Sequence, residues 1–162
     1  MNEFDLAKAV VAAFKEKNCT LSFAESCTGG LASATVVNVA GASKVFYGGI
    51  VSYDNSVKEN LLFVDGEVLK TVGAVSKDCA MQMALGVRKQ IGTSVAVSVT
   101  GIAGPGGGTE EKPVGLVYIG VSSKRGTSAV KLLLGDAGNR EAIRKAAVCN
   151  MLKIALEELE NI

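Results

Sequence analysis

The apolar residues of this sequence switch repeatedly between a helical and an extended spacing, and few architectures can hold them in that order. Leu6, Val10 and Phe14 recur at helical intervals with Ala9 and Ala13 beside them, which predicts an amphipathic helix ending near Asn18. Thr20 to Ala24 has the pattern of a strand, and Gly29 to Val39 that of a helix closed by Gly41. Lys44 to Tyr53 reads as a second strand despite Gly48-Gly49, and Asp54-Asn55-Ser56 can cap a short helix through Leu62. Asp65-Gly66 is read as a turn, with a short helical or irregular piece from Glu67 to Thr71. Ser76 can cap a helix to Gln90, ended by Gly92, with Ala80, Met83, Ala84, Val87 and Ile91 on one side. Gly86 inside it costs roughly 1 kcal/mol relative to Ala, so a packing reason is expected.

Ser94 to Thr100 is a Val-rich strand of the kind buried on both faces. Val114 to Ser122 and Ser128 to Leu134 predict an antiparallel hairpin around Lys124-Arg125-Gly126-Thr127. Asn139 can cap a long last helix to Glu160, with Ile143, Ala147, Met151, Ile154 and Leu159 facing inward. The expectation is an α/β chain, a three-layer α/β/α sandwich around a mixed, mostly parallel sheet of about five to six strands with a late antiparallel hairpin. No linker or repeat divides residues 1–162, so one domain is expected.

Composition narrows the chemistry. Histidine is absent, which removes the Ser-His-Asp triad, the Cys-His dyad and most zinc sites. A hydrolase built from this sequence needs Lys, Tyr, Asp or Glu as its base. A net charge of +1 gives no reason to expect nucleic acid. No apolar run is long enough to span a membrane, and the start, Met1-Asn2-Glu3-Phe4-Asp5, is acidic where a signal peptide is basic. Cys19, Cys27, Cys79 and Cys149 are scattered without a C-x-x-C pair, as expected of reduced thiols in a cytoplasmic protein.

Four constellations remain. Ala24-Glu25-Ser26-Cys27-Thr28-Gly29-Gly30 joins a strand to a helix, and the amides at such a corner can hold an anion or a developing oxyanion. Ser26 is either a helix cap or a nucleophile, and Cys27 is either a packed thiol or its rival. The pattern is not the G-x-S-x-G elbow, because Ala24 and Thr28 stand where glycines would be. In Ser52-Tyr53-Asp54-Asn55-Ser56-Val57-Lys58, Lys58 falls in the first turn of a helix, where dipole and burial both favour a neutral amine; it is either an exposed cation or a base. Thr100-Gly101-Ile102-Ala103-Gly104-Pro105 opens a glycine-rich loop that fails the P-loop and G-x-G-x-x-G tests, yet it can bring amides close to a ligand or simply be flexible. Arg140 and Arg144 share a helix face near its start, an unfavourable place for two cations that suits an anion, unless surface carboxylates pair them.

Those blocks, together with Pro113-Val114-Gly115 and Ile143, resemble the nicotinamide-nucleotide amidase family, the C-terminal domain of CinA proteins (the competence/damage-inducible type). The resemblance covers essentially the whole chain and rests on two highly specific blocks, Ala24 to Gly30 and Thr100 to Pro105. It implies conversion of nicotinamide mononucleotide to nicotinic acid mononucleotide and ammonia, without metal or cofactor. It implies Ser26 as nucleophile with Tyr53 and Lys58 as its base pair, the phenol relaying the proton. Substrate binding would fall to the Cys27, Thr28, Gly29 and Gly30 amides, to Thr100, Gly101 and Gly104, and to Arg140 and Arg144. It implies the same three-layer fold and a homo-oligomer, a dimer or higher. The other readings are a nucleotide-binding partner module without turnover and an amidase for a related small amide.

Overall fold

A computed structural model describes residues 1–162. The elements follow in the order α1 (Glu3–Glu16), β1 (Leu21–Glu25), α2 (Leu31–Val37), β2 (Phe46–Val51), α3 (Asn55–Leu62), α4 (Gly66–Thr71), α5 (Lys77–Ile91), β3 (Val95–Gly101), β4 (Leu116–Ser123), β5 (Gly126–Leu133) and α6 (Arg140–Glu160). The caps read from the sequence are formed: Asp54, Ser76 and Asn139 accept from the amides of Ser56, Cys79 and Ala142. Asp65 does more than turn the chain, because its carboxylate accepts from the Glu67 amide and starts α4. The hairpin is tighter than the four-residue turn expected, since β5 already begins at Gly126 and pairs there with Ser123.

The sheet runs β2-β1-β3-β4-β5. β1 pairs in parallel with β2 and β3, β4 is antiparallel to β3, and β5 is antiparallel to β4. Four of the five strands therefore point the same way. Alternation along the central strands sorts side chains into two layers. Leu21 and Phe23 of β1 and Val95, Val97 and Val99 of β3 pack with α1, α2 and α6 in the larger core. Ala24 and Ala96 face the opposite way, against Leu62 of α3 and Cys79, Met83 and Val87 of α5.

That second face is lined with small residues, and α5 lies very close to it. The Ser98 hydroxyl donates to the Ala80 carbonyl at 2.5 Å and accepts from the Gly120 amide at 3.2 Å. A Cβ on Gly120 would sit 2.3 Å from the Ala80 oxygen. The cost of a glycine within α5 has the same explanation: a Cβ on Gly86 would sit 2.0 Å from the Leu62 carbonyl oxygen. Tertiary approach overrides helix propensity at that position. No helix is long and apolar enough to cross a membrane.

Candidate active site

The chain leaves β1 for α2 on one face of the sheet and leaves β2 for α3 on the other. In open α/β sheets such a divergence opens a crevice at the carboxyl ends of the strands. Ser26 sits there, directly after β1, with its amide bonded to the Val99 carbonyl of neighbouring β3 at 3.0 Å. The Ser52 amide, just past β2, donates to the Glu25 carbonyl at 2.8 Å and so ties the two strand tips together. Lys58 reaches back from α3 into this junction. Its Nζ lies 2.9 Å from Ser26 Oγ, 2.7 Å from the Ser52 carbonyl and 3.0 Å from the Tyr53 carbonyl.

Lys58 is 1% exposed and forms no ion pair. Burial pushes its amine below the ordinary lysine value. Nζ donates to all three oxygens as an ammonium; once deprotonated, the amine has two N–H donors and one lone pair. The two carbonyls can only accept, so they take the N–H groups, and the lone pair is left to receive the Ser26 hydroxyl proton. Burial also raises the Cys27 thiol to about 11, so it is protonated at neutral pH and packs as an ordinary buried thiol.

The turn that carries Ser26 is held from within. Glu25 is fully buried, and its carboxylate accepts four bonds: from Thr28 Oγ1 at 2.6 Å, the Ala32 amide at 2.8 Å, the Ser33 amide at 3.0 Å and Ser33 Oγ at 2.6 Å. The start of α2 is thereby capped by Glu25, while Gly30 at the cap position has no side chain to do so. The motif alone does not single out Glu25 among its neighbours. The signal that could have found it is a carboxylate closing a strand otherwise built for burial, a place where a charge must be fully bonded. The helix-end amides proposed for a ligand are in part already used. The N–H groups of Cys27, Thr28 and Gly30, in contrast, donate to no oxygen acceptor in the chain.

The remaining predicted residues separate into a cleft and its supports. Tyr53 is 61% exposed; only its carbonyl touches Lys58, while its phenol oxygen accepts from Arg140 Nη2 at 3.1 Å. Lys58 thus meets Ser26 directly, with no phenol between them. Arg140 Nη1 donates to the Gly104 carbonyl at 2.7 Å. Arg144 Nε and Nη2 donate to the carbonyls of Cys27 and Thr28 at 3.0 and 2.7 Å. Thr100 points elsewhere: buried, it donates to the Ala74 carbonyl at 2.9 Å and anchors the segment before α5. Gly101, the last residue of β3, allows close approach of the β4 backbone, where a Cβ would sit 2.8 Å from the Leu116 oxygen. Gly29 and Gly30 carry the turn past Arg144 and Val51.

A cleft of about 820 Å³ opens beside this turn, lined by Leu31, Ala103, Pro105, Arg140, Arg144 and Lys145 among others. Its size is that of a small-molecule site. Ser26 does not itself line it; Arg144 connects the two, lining the cleft and bonding the residues next to Ser26. Lys145 pairs with Glu141 at 3.1 Å, but neither arginine pairs with a carboxylate. The cleft therefore carries positive charge that the chain does not neutralise.

The model of the family described as the CinA C-terminal domain matches residues 3–159. A CinA-like protein of Dictyoglomus turgidum is 51% identical over 160 residues, covering 99% of this chain and 38% of that protein. A CinA-like protein of Synechocystis is 45% identical, covering 93% of this chain and 36% of that protein. The chain thus spans little more than a third of the length of these relatives. Among solved structures, a competence/damage inducible protein from Agrobacterium tumefaciens superposes with a TM-score of 0.93 at 41% identity, covering 98% of this chain and 95% of that one. A competence damage-inducible protein A from Klebsiella pneumoniae superposes with a TM-score of 0.93 at 30% identity, covering 99% and 98%.

Proposed function

We propose that this chain, which belongs to the CinA C-terminal domain family, is a nicotinamide-nucleotide amidohydrolase that uses Ser26 as nucleophile and Lys58 as base. The observation that carries the reading is the 2.9 Å contact between Lys58 Nζ and Ser26 Oγ, made by a buried lysine without a carboxylate partner. Such a pair supplies, without histidine, the activated hydroxyl that acyl transfer requires.

In this mechanism the Ser26 proton passes to the Lys58 lone pair as Oγ attacks the carboxamide carbon. The oxygen that becomes negative is received by the free N–H groups of Cys27 and Thr28. Lys58 returns its proton to the departing amide nitrogen, which leaves as ammonia. Water then attacks the acyl ester on Ser26 with Lys58 again taking a proton; Lys58 returns it to Ser26 Oγ as the C–O bond breaks, and the acid is released and ionises. The ring carboxamide would lie at Ser26 and the ribose phosphate in the cationic cleft. Binding energy from that remote phosphate would serve to orient the amide.

The test is direct. Purified protein incubated with nicotinamide mononucleotide releases ammonia and the acid in equal amounts, and Ser26→Ala abolishes release. Binding of the nucleotide without any product would favour the turnover-free module instead. Equal rates on nucleotide and free nicotinamide would point to a different small amide.

A further inference from the structure

The nucleophile turn holds three unused N–H groups, those of Cys27, Thr28 and Gly30, and something must fix the direction of the two nearest Ser26. A trans peptide points its C=O and N–H in opposite directions, and the only cis bond in the chain is Gly104-Pro105. An N–H can therefore be aimed by gripping the carbonyl of the preceding residue. The Cys27 N–H shares its plane with the Ser26 carbonyl, which accepts from the Gly29 amide at 3.0 Å. The Thr28 N–H shares its plane with the Cys27 carbonyl, and that oxygen is held by Arg144 Nε at 3.0 Å. Arg144 Nη2 holds the next carbonyl, that of Thr28, at 2.7 Å. One planar fork from α6 thus grips two successive peptide planes of a turn more than a hundred residues away in sequence.

We infer that Arg144 is a positioning residue for the oxyanion site, gripping the backbone so that the Thr28 N–H faces the reacting carbonyl, and that the substrate phosphate is met by Arg140. The inference rests on the amidase reading and assigns different work to two arginines that the sequence presents as equivalent. Arg140 spends Nη1 on the Gly104 carbonyl and Nη2 on the Tyr53 hydroxyl, both at the wall of the cleft. It touches no part of the nucleophile turn. Lysine does not reproduce Arg144 in this role, because its rotating ammonium has no planar fork to fix the directions of both carbonyls.

The two roles separate in kinetics. Arg144→Gln and Arg144→Lys are compared with Arg140→Gln on nicotinamide mononucleotide and on its nucleoside lacking the phosphate. Loss of one aimed donor lowers kcat by about 10²-fold on both substrates in both Arg144 variants, with KM nearly unchanged. Arg140→Gln raises KM for the nucleotide by a much larger factor than for the nucleoside. The inference is overturned if either Arg144 variant mainly raises KM for the nucleotide, or if lysine restores full kcat. Should wild-type protein release no ammonia at all, the amidase reading falls, and the grip is tested separately by amide hydrogen exchange. Faster exchange at the Gly29 amide, which is bonded to the Ser26 carbonyl and shares its plane with the gripped Thr28 carbonyl, supports it in folded Arg144→Lys relative to wild type; unchanged exchange refutes it.

Discussion

Replacing Lys58 by methionine tests the centre of the proposed chemistry, because it keeps an unbranched apolar stem as far as Cε and removes the amine. Three contacts vanish, to Ser26 Oγ, the Ser52 carbonyl and the Tyr53 carbonyl. Tyr53 is exposed and its carbonyl can be hydrated, and the Ser26 hydroxyl can rotate. Ser52 is fully buried, so its carbonyl loses its partner at a cost of about 1–3 kcal/mol. Removing a buried amine returns part of that. The net loss is at most about 3 kcal/mol, or a fall in Tm of roughly 6–12 °C for a chain of this size. The catalytic loss is separate: without its base, kcat/KM falls by about 10²–10⁴-fold, roughly 3–5 kcal/mol of barrier.

The pH dependence gives a second reading of the same substitution. Burial holds the Lys58 pKa below its ordinary 10.5, so the folded chain resists protonation that the unfolded chain accepts. Between the lowered value and 10.5 the unfolded state binds more protons, and stability contributed by this site rises with pH. Below that window the full penalty of protonating the buried amine is present. Activity rises through the lowered pKa as the amine becomes a base. In the methionine variant both slopes disappear. Ammonia release and circular-dichroism melts across pH measure them. A folded Lys58→Met protein with kcat/KM within about threefold of wild type would refute the mechanism.

Three further substitutions test the framework. Gly86→Ala forces a methyl group onto the Leu62 carbonyl and should cost about 3 kcal/mol or more in urea unfolding, despite the better helix propensity of alanine. Ser98→Ala removes the hydroxyl shared by the Ala80 carbonyl and the Gly120 amide, and should cost about 1–3 kcal/mol by the same measurement with little effect on KM. Glu25→Gln puts an NH₂ group against donors of the 28–33 segment. A Tm drop of at least about 3 °C is expected, with kcat reduced as the turn loosens.

Local chemistry was legible in the sequence where it acts over a few residues. The caps at Asp54, Ser76 and Asn139 needed only their own side chains and the next turn, and strand β3 announced its burial through Val95, Val97 and Val99. The proximity of Ser26 and Lys58 followed from resemblance and from the absence of histidine, not from any spacing. What stayed hidden depends on chain crossing. The pairing of Tyr53 with Arg140, the grip of Arg144 on Cys27 and the anchoring of Thr100 to Ala74 join positions whose distance in sequence carries no periodic signal. Gly86 showed that something came close; only the fold says that it is the end of α3.

The two close approaches of α5 have a consequence for movement during turnover. With the Leu62 backbone against Gly86 and the Ala80 backbone against Gly120, this helix has no room to slide or roll over the sheet. Lys58 rides on α3, which ends at that same point, so the base belongs to the stationary part of the molecule. Adjustment that admits substrate or lets product escape is left to the exposed glycine segment around Gly106 to Gly108, because the start of α6 is itself tied to the nucleophile turn through Arg144, and proton transfer stays in a frame that does not flex.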